Sequence, residues 1–179
     1  MTYAESQPDL RSLVREIADF PRPGILFKDI TPLLLYPAAL DAAVNGLAEL
    51  MGEQQVDLVV AAEARGFILG GALARALHAG FVPARKPGKL PSETISAEYT
   101  LEYGLDALEV HADALAGGTR VLVHDDLLGT GGTAAAMCEL VRSFGAEVVG
   151  CAFLIELSFL GGRARLAPYD VRALIQYAA

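Results

Sequence analysis

The 179-residue sequence predicts an α/β fold in which a central, mainly parallel sheet is flanked by helices. Three short apolar runs, at 57–62, 120–125 and 147–157, are typical of strands that are buried on both faces. Segments with helical periodicity lie between these runs. Strands that alternate with helices in this way pair in parallel, so we expect ligands to bind beyond their carboxyl ends.

The two N-terminal helices are predicted from apolar spacing and from the residues at their ends. Residues 8–20 place four apolar side chains at helical spacing, and Asp9 is a candidate N-cap. Residues 37–52 form the second predicted helix, because Pro37 suits a first turn and Gly52 suits a stop. The other predicted elements, in order, are a helix at 66–80, a strand at 81–85, a long mobile loop at 86–96, a hairpin of 97–103 and 107–111 around Gly104, a helix at 133–145 and a last long strand at 147–157.

The composition indicates a single globular domain that binds no nucleic acid. A formal net charge of -8 argues against a general nucleic-acid surface, although backbone N–H groups can still bind a small anion. No apolar run is long enough for a membrane span, and the first sixteen residues lack the pattern of a signal peptide. Cys138 and Cys151 show no metal-binding spacing, so we expect buried thiols in a cytoplasmic protein.

The stretch "VLVHDDLLGTGGT" combines two carboxylates with a loop rich in glycine. The loop at the start of the next helix is predicted to bind phosphate through its N–H groups and hydroxyls; its residues are Gly129, Thr130, Gly131, Gly132 and Thr133. Carboxylates do not favour phosphate, so Asp125 and Asp126 are better suited to ribose hydroxyls or to a metal that the ligand carries. A sugar phosphate therefore explains the whole stretch, whereas the alternative is a solvated turn before a capped helix.

Basic residues follow two other predicted strands. Arg65, beside Gly66, suits a pyrophosphate group that a guanidinium holds with two parallel bonds; the alternative is a surface pair with Glu63. A cluster of Arg85, Lys86 and Lys89 precedes the predicted loop and favours an anion clamp rather than a solvated tip.

Two further stretches carry residues whose roles the sequence leaves open. In "ILFKDI", Phe27 offers a flat face for stacking a base, although from periodicity alone a core position is the better interpretation. His78 and His111 end predicted elements and are expected to be structural, whereas His124, directly before Asp125, is ambiguous.

The motifs together resemble those of the type I phosphoribosyltransferases. "VLVHDDLLGTGGT" looks like the signature of that superfamily for 5-phosphoribosyl 1-pyrophosphate (PRPP). "FPRPGILFKDITPLL", "EARGFILGGALA", "FVPARKPGKLPSETIS", "LEYGLDALEVHADAL" and "LIELSFLGGRARL" narrow the resemblance to the adenine phosphoribosyltransferase family. Three residues depart from the expected pattern: Lys28 stands where Arg is common, Gly129 where Ala is common, and His124 where an aliphatic residue is common.

The resemblance implies a type I phosphoribosyltransferase fold, with residues 1–179 as one domain and about 1–35 forming a small hood that binds the base. It implies that adenine and PRPP give AMP and pyrophosphate, with Mg²⁺ carried by PRPP near Asp125 and Asp126 rather than in a dedicated protein cage. It also implies a homodimer with Arg85 near the subunit boundary. Two alternatives are a phosphoribosyltransferase for another base and a non-catalytic PRPP sensor.

Particular residues receive roles from the same resemblance. Glu102, in the lid stretch "LEYG", is the candidate catalytic residue, although the sequence alone also allows an exposed hairpin glutamate. Pyrophosphate is assigned to Arg65, Arg85, Lys86 and Lys89, and adenine to Phe27 and the main chain of Leu26 and Lys28. The peptide bond between Glu63 and Ala64 is expected to be cis.

Overall fold

The computed structural model describes residues 8–101 and 104–178, which form two compact units, one up to Gly46 and one from Leu47 onwards. Among these residues, no helix combines the length and the apolar character of a membrane span.

The first unit is built around a two-stranded antiparallel sheet. After a 3₁₀ turn at Arg11–Leu13, strand β1 (Arg15–Ala18) pairs with β2 (Leu26–Asp29), and Ile17 lies opposite Phe27. Helix α1 is Thr31–Leu34, and helix α2 runs through Pro37–Met51.

The second unit contains a five-stranded parallel sheet in the order β4-β3-β7-β8-β9. Its elements are β3 (Leu58–Ala62), α3 (Arg65–Ala76), β4 (Gly80–Ala84), β7 (Arg120–Leu128), α4 (Gly132–Ser143), β8 (Glu147–Leu157), α5 (Gly162–Arg165) and β9 (Val171–Tyr177). An antiparallel hairpin of β5 (Thr94–Leu101) and β6 (Gly104–His111) forms a separate sheet. The predicted α/β class is confirmed, and β7 lies at the centre of the sheet, where both faces are covered.

The N-terminal helix predicted over 8–20 is wrong. Asp9 accepts a hydrogen bond from the Arg11 N–H at 3.1 Å, but only a single 3₁₀ turn follows. The chain then becomes extended because β1 finds a partner in β2, and Arg15 forms an ion pair with Asp29. Cross-strand pairing outweighs the local helical spacing.

Other elements also differ from the predictions, in their bounds or in being unpredicted. The helix α3 ends at Ala76 rather than Gly80, and Gly80 instead begins β4. The hairpin starts at Thr94, so the predicted loop 86–96 loses its last residues to β5. The strand β7 continues beyond 125 to Leu128, and β8 is followed by the unpredicted strand β9.

Candidate functional site

The end of β7 carries the two adjacent aspartates. Pairing with β3 on one side and β8 on the other fixes this strand, and Asp125 lies opposite Phe153. Asp126 is 2% exposed, and its Oδ2 lies 3.2 Å from Nε of Arg65 at the first residue of α3. The Asp125 side chain accepts a hydrogen bond from the Asp126 N–H at 2.9 Å. Asp126 and Arg65, which belong to separately predicted motifs, thus meet at the carboxyl ends of the sheet strands.

Burial determines the protonation of this pair. Burial raises the pKa of Asp125 well above its ordinary value, and the adjacent Asp126 carboxylate raises it further. Burial also raises the pKa of Asp126, against the opposing charge of Arg65. Burial therefore opposes the charged form of both carboxyls, and a cation or a hydroxyl donor that binds there would stabilise that form.

The loop between β7 and α4 packs closely against the backbone of Gly162. Gly131 has a φ of +80°, and a Cβ there would lie 2.9 Å from the Gly162 carbonyl oxygen, so both its conformation and its surroundings require glycine. The helix α4 begins at Gly132, so its first N–H groups and its dipole face the loop. A cavity of approximately 240 Å³ is lined by residues 127–134 together with Arg65, Asp125, Asp126 and Phe153.

A second cavity of approximately 250 Å³ adjoins the same aspartates. Its lining consists of Glu63, Ala64, Arg65, Lys86, Tyr99, Asp106, Asp125, Asp126 and Thr133. It shares Arg65, both aspartates and Thr133 with the loop cavity. The peptide bond between Glu63 and Ala64 is cis, at the position that the resemblance implied. The two cavities therefore form one cleft with the glycine-rich loop at one end and Lys86 at the other.

Lys86 is held by Tyr99 and Asp106, two residues of the β5–β6 hairpin that received no role from the sequence. Its Nζ donates hydrogen bonds to Asp106 and, at 3.1 Å, to the Tyr99 hydroxyl, which itself donates to Asp106 at 3.1 Å. Burial opposes the charge of Lys86, but these partners raise its pKa, so the ammonium stays charged. Tyr99 and Asp106 lie opposite each other in the β5–β6 ladder. Only that register, which no local motif reveals, brings them to Lys86.

Glu63 organises the rest of the basic cluster. It accepts hydrogen bonds from the Lys86 N–H at 2.9 Å and from Arg85 Nε at 3.1 Å, and these contacts lower the pKa of its carboxyl. Arg85 also donates to the Lys89 carbonyl at 3.0 Å. Neither Arg85 nor Lys89 is among the described residues that line the two cavities. The sequence alternative of an Arg65–Glu63 pair is replaced by an Arg85–Glu63 pair.

Residues of the predicted base site lie on β2 in the first unit. Phe27 is half-buried and packs edge-on against Phe20, with ring centroids 5.1 Å apart, whereas Leu26 is 47% exposed. Lys28 is buried and forms an ion pair with Glu16 on β1. Glu102, the predicted catalytic residue, lies outside the described residues.

The other two departures from the family pattern have different surroundings. A Cβ on Gly129 would meet nothing closer than 3.5 Å, so this position does not require glycine. His124 is fully buried on β7, and its Nδ1 lies 2.9 Å from the Ala152 carbonyl oxygen. Burial lowers the pKa of this imidazole to about 4.

Comparison with known proteins agrees with this geometry. The phosphoribosyl transferase domain family matches residues 35–172. An adenine phosphoribosyltransferase of Rubrobacter xylanophilus is 59% identical over 169 residues, which are 94% of this chain and 91% of the relative. The crystal structure of the adenine phosphoribosyltransferase from Thermoanaerobacter pseudethanolicus is 51% identical with a TM-score of 0.92, over 94% of this chain and 98% of that one. A Saccharomyces cerevisiae enzyme of the same name, complexed with an imino-altritol bisphosphate and adenine, is 40% identical with a TM-score of 0.85, over 90% and 94%.

Proposed function

The chain belongs to the adenine phosphoribosyltransferase family, and on that premise we propose how its cleft converts adenine and PRPP into AMP and pyrophosphate. The observation that carries the proposal is the pair of joined cavities. One cavity ends in the phosphate loop, the other contains Lys86, and they share Arg65 with Asp125 and Asp126. PRPP has the matching order of groups: a phosphate, a ribose with two hydroxyls, and a pyrophosphate.

We assign each part of PRPP to the residues whose chemistry suits it. The N–H groups and hydroxyls of loop 129–133 hold the 5′-phosphate, which the dipole of α4 also favours. The carboxylates of Asp125 and Asp126 accept hydrogen bonds from the ribose hydroxyls. Arg65 and Lys86 neutralise the pyrophosphate, while the pyrophosphate roles of Arg85 and Lys89 stay predictions.

Chemistry at the sugar follows from this arrangement. As the bond to pyrophosphate loosens, the sugar carbon acquires positive charge and a ring nitrogen of adenine attacks it. Pyrophosphate is a good leaving group, so the residues contribute mainly by positioning and by stabilising charge. We assign to Glu102, on the strength of the family resemblance, the management of a proton or of positive charge on the purine.

The donor set of the cleft fits Mg²⁺ bound together with PRPP. The two adjacent carboxylates of Asp125 and Asp126 are hard oxygen ligands, and Mg²⁺ commonly uses one or two carboxylates together with substrate phosphates. No cluster of three or more metal-ligating side chains occurs within the described ranges, so PRPP oxygens and water would complete the coordination. When bound, the ion would neutralise charge on the departing pyrophosphate.

For the base, we propose that Phe27 stacks on adenine and that the main chain of Leu26 and Lys28 reads its edge. The support is that the Phe27 ring is only half-buried, so part of it is available for contact. Pairing with β1 fixes the strand that carries these residues. We therefore propose that the first unit supplies the hood that binds the base.

A homodimer in the cytoplasm is proposed as the working form. Edge strand β4 carries Phe81, 37% exposed, and helix α3 carries Ile68, 46% exposed, which is apolar surface that a second subunit could cover. The strand β4 leads directly to Arg85, which the resemblance places near a subunit boundary. Cys138 and Cys151 are free thiols, as expected in a reducing compartment. Sedimentation equilibrium would test the assembly, and a monomer at micromolar concentration would contradict it.

Product analysis tests the proposed substrate. The protein is incubated with PRPP and Mg²⁺ and with adenine, hypoxanthine, guanine, xanthine or orotate in turn, and nucleotides are separated by chromatography. AMP should form rapidly and the other nucleotides poorly. A guanine rate equal to the adenine rate would indicate a phosphoribosyltransferase for other bases, and PRPP binding without any product would indicate a sensor.

Single-turnover kinetics with Glu102→Gln test the catalytic assignment. The amide keeps the shape of the side chain and removes its charge, so the chemical step should slow far more than PRPP binding weakens. Loss of PRPP affinity with a fast chemical step would make Glu102 a ground-state binding residue.

A further inference from the structure

The two cysteines of the chain lie against each other in the core. Cys138 is on α4 and Cys151 is on β8, both are almost fully buried, and their sulfur atoms are 3.7 Å apart. Both are free thiols. A disulfide needs a separation of about 2.05 Å, so the sulfurs are in contact without being bonded. Their separation in sequence, 13 residues, gave no indication of this contact.

One of these two cysteines borders a cavity that is lined partly by α4. A cavity of approximately 490 Å³ lies along α4, and Cys138 is part of its lining. Arg142, Arg165 and Tyr169 also line it, whereas Cys151 does not. None of its lining residues belongs to the two cavities of the PRPP cleft. This cavity therefore borders Cys138 and is separate from the substrate cleft.

The charge of this cavity favours thiol chemistry with anions. Arg142 and Arg165 form no ion pair within the part of the chain that the structure describes, and Glu139 is the one carboxylate in the lining. Two guanidinium groups against one carboxylate raise the local concentration of an anionic reagent. In a chain with a formal net charge of -8, such a positive recess is unusual.

We propose that Cys138 and Cys151 form a redox-active dithiol, with Cys138 as the attacking thiol, Cys151 as the resolving thiol, and a small anionic disulfide as the oxidant. The Cys138 thiolate attacks one sulfur of the oxidant, and the first oxidant thiolate leaves. Cys151 then loses its proton and attacks the Cys138 sulfur, and the second oxidant thiolate leaves. The chain gives up two protons and two electrons, which reduce the oxidant disulfide to two thiols.

The order of attack follows from the surroundings of each sulfur. The interaction with the Cys138 sulfur and burial both raise the pKa of Cys151, so this residue remains a thiol until Cys138 is modified. Cys138 lies less than two helical turns after Gly132, the residue at which α4 leaves the proposed phosphate loop. Oxidation would thus join the helix that begins at this loop to a central strand of the sheet.

The test uses the native chain and 5,5′-dithiobis(2-nitrobenzoate), a dianionic disulfide. The wild type should release two thionitrobenzoates per chain, carry no adduct, and lose the mass of two hydrogen atoms, all reversed by dithiothreitol. Cys151→Ala should release one and retain one adduct. Cys138→Ala should react only after denaturation. Because the mass change is measured on the wild type, this result does not depend on whether a variant folds.

A variant that removes one positive charge distinguishes an effect of the cavity arginines from simple exposure of the Cys138 thiol. Arg142→Gln should slow the reaction with the dianionic reagent about tenfold, because steering by a nearby charge acts on the association rate. The same variant should leave the rate with neutral 4,4′-dithiodipyridine unchanged. Adducts retained on both cysteines of the wild type, no reaction without denaturant, or equal effects of Arg142→Gln on both reagents would overturn the proposal.

Discussion

Acid titration of the buried His124 offers a quantitative test of the packing behind the site. The side chain is completely buried on the central strand, and its Nδ1 lies 2.9 Å from the Ala152 carbonyl oxygen. A carbonyl only accepts, so Nδ1 carries the proton of the neutral ring. The buried Nε2 has no hydrogen-bond partner within the described residues. A second proton on Nε2 would therefore place a charge in a position with no partner for it.

The size of the effect follows from linkage between protonation and folding. An imidazole in the unfolded chain titrates near 6.5, and burial lowers the pKa of His124 to about 4 in the folded chain. Between these values the unfolded state binds a proton that the folded state does not. The contribution of His124 to the free energy of unfolding is therefore fully present above pH 6.5 and is lost as the pH falls towards 4. The free energy of unfolding should fall by about 1.4 kcal/mol per pH unit, or about 3 kcal/mol in all.

Urea unfolding at several values between pH 4.5 and 7.5 measures this loss. The comparison variant is His124→Asn, whose amide can still donate to the Ala152 carbonyl but does not titrate. Other titrating groups, among them Asp125, are common to both proteins and cancel in the difference. The stability difference between wild type and variant should change by about 1.4 kcal/mol per pH unit below 6.5. A difference that stays constant over this range would refute the reasoning.

Three further predictions concern the cleft. Gly131→Ala should lower the free energy of unfolding by about 1–2 kcal/mol because of its left-handed backbone, and further because the added Cβ meets the Gly162 carbonyl oxygen. Gly118→Ala is the control, because Gly118 has a φ of +79° but nothing within 4 Å of the added Cβ. Equal thermal unfolding of the two variants would contradict the close contact at Gly131. Lys86→Gln should raise the Kd for PRPP about ten- to a hundredfold, as for a lost charged hydrogen bond, and change AMP binding little, by isothermal titration calorimetry. Asp126→Asn removes the charge of the partner of Arg65, and it should weaken the binding of AMP but not of inorganic phosphate in the same assay. Equal losses of affinity for both ligands would argue against a ribose contact.

The parts of the fold that were predicted correctly are those with a local physical cause. Helix α2 has its periodicity and both of its end signals within 16 residues, and β8 is a continuous apolar run. The β1 segment satisfies a helical pattern locally and becomes a strand only because β2 lies beside it. The last strand, β9, mixes Arg172 and Gln176 with apolar residues, so it lacks the uniform apolar run that marked the other parallel strands.

The residues of the candidate site also divide into those that a local motif predicts and those that it does not. The loop 129–133, the two aspartates and Arg65 are short motifs whose chemistry follows from neighbouring residues, and the structure places them around one cleft. Contacts between distant residues could not be predicted, as in the case of Tyr99 and Asp106 around Lys86. The ion pairs of the basic cluster, Arg85 with Glu63 and Lys86 with Asp106, were not evident from the sequence. Their members are 22 and 20 residues apart, so no local motif contains both partners of either pair.

The ion pair of Lys86 with Asp106 bears on the proposed role of Lys86 in binding pyrophosphate. A lysine on a flexible loop loses side-chain freedom when it binds a ligand. Lys86 is already held by Asp106 and Tyr99 at the wall of the cavity, so much of that cost is met in folding. The ligand must share the ammonium with one carboxylate, but pyrophosphate carries several charges, and the ammonium has three donors. If Lys86 binds the pyrophosphate as proposed, holding the cation with Asp106 thus lowers the ordering cost of binding PRPP.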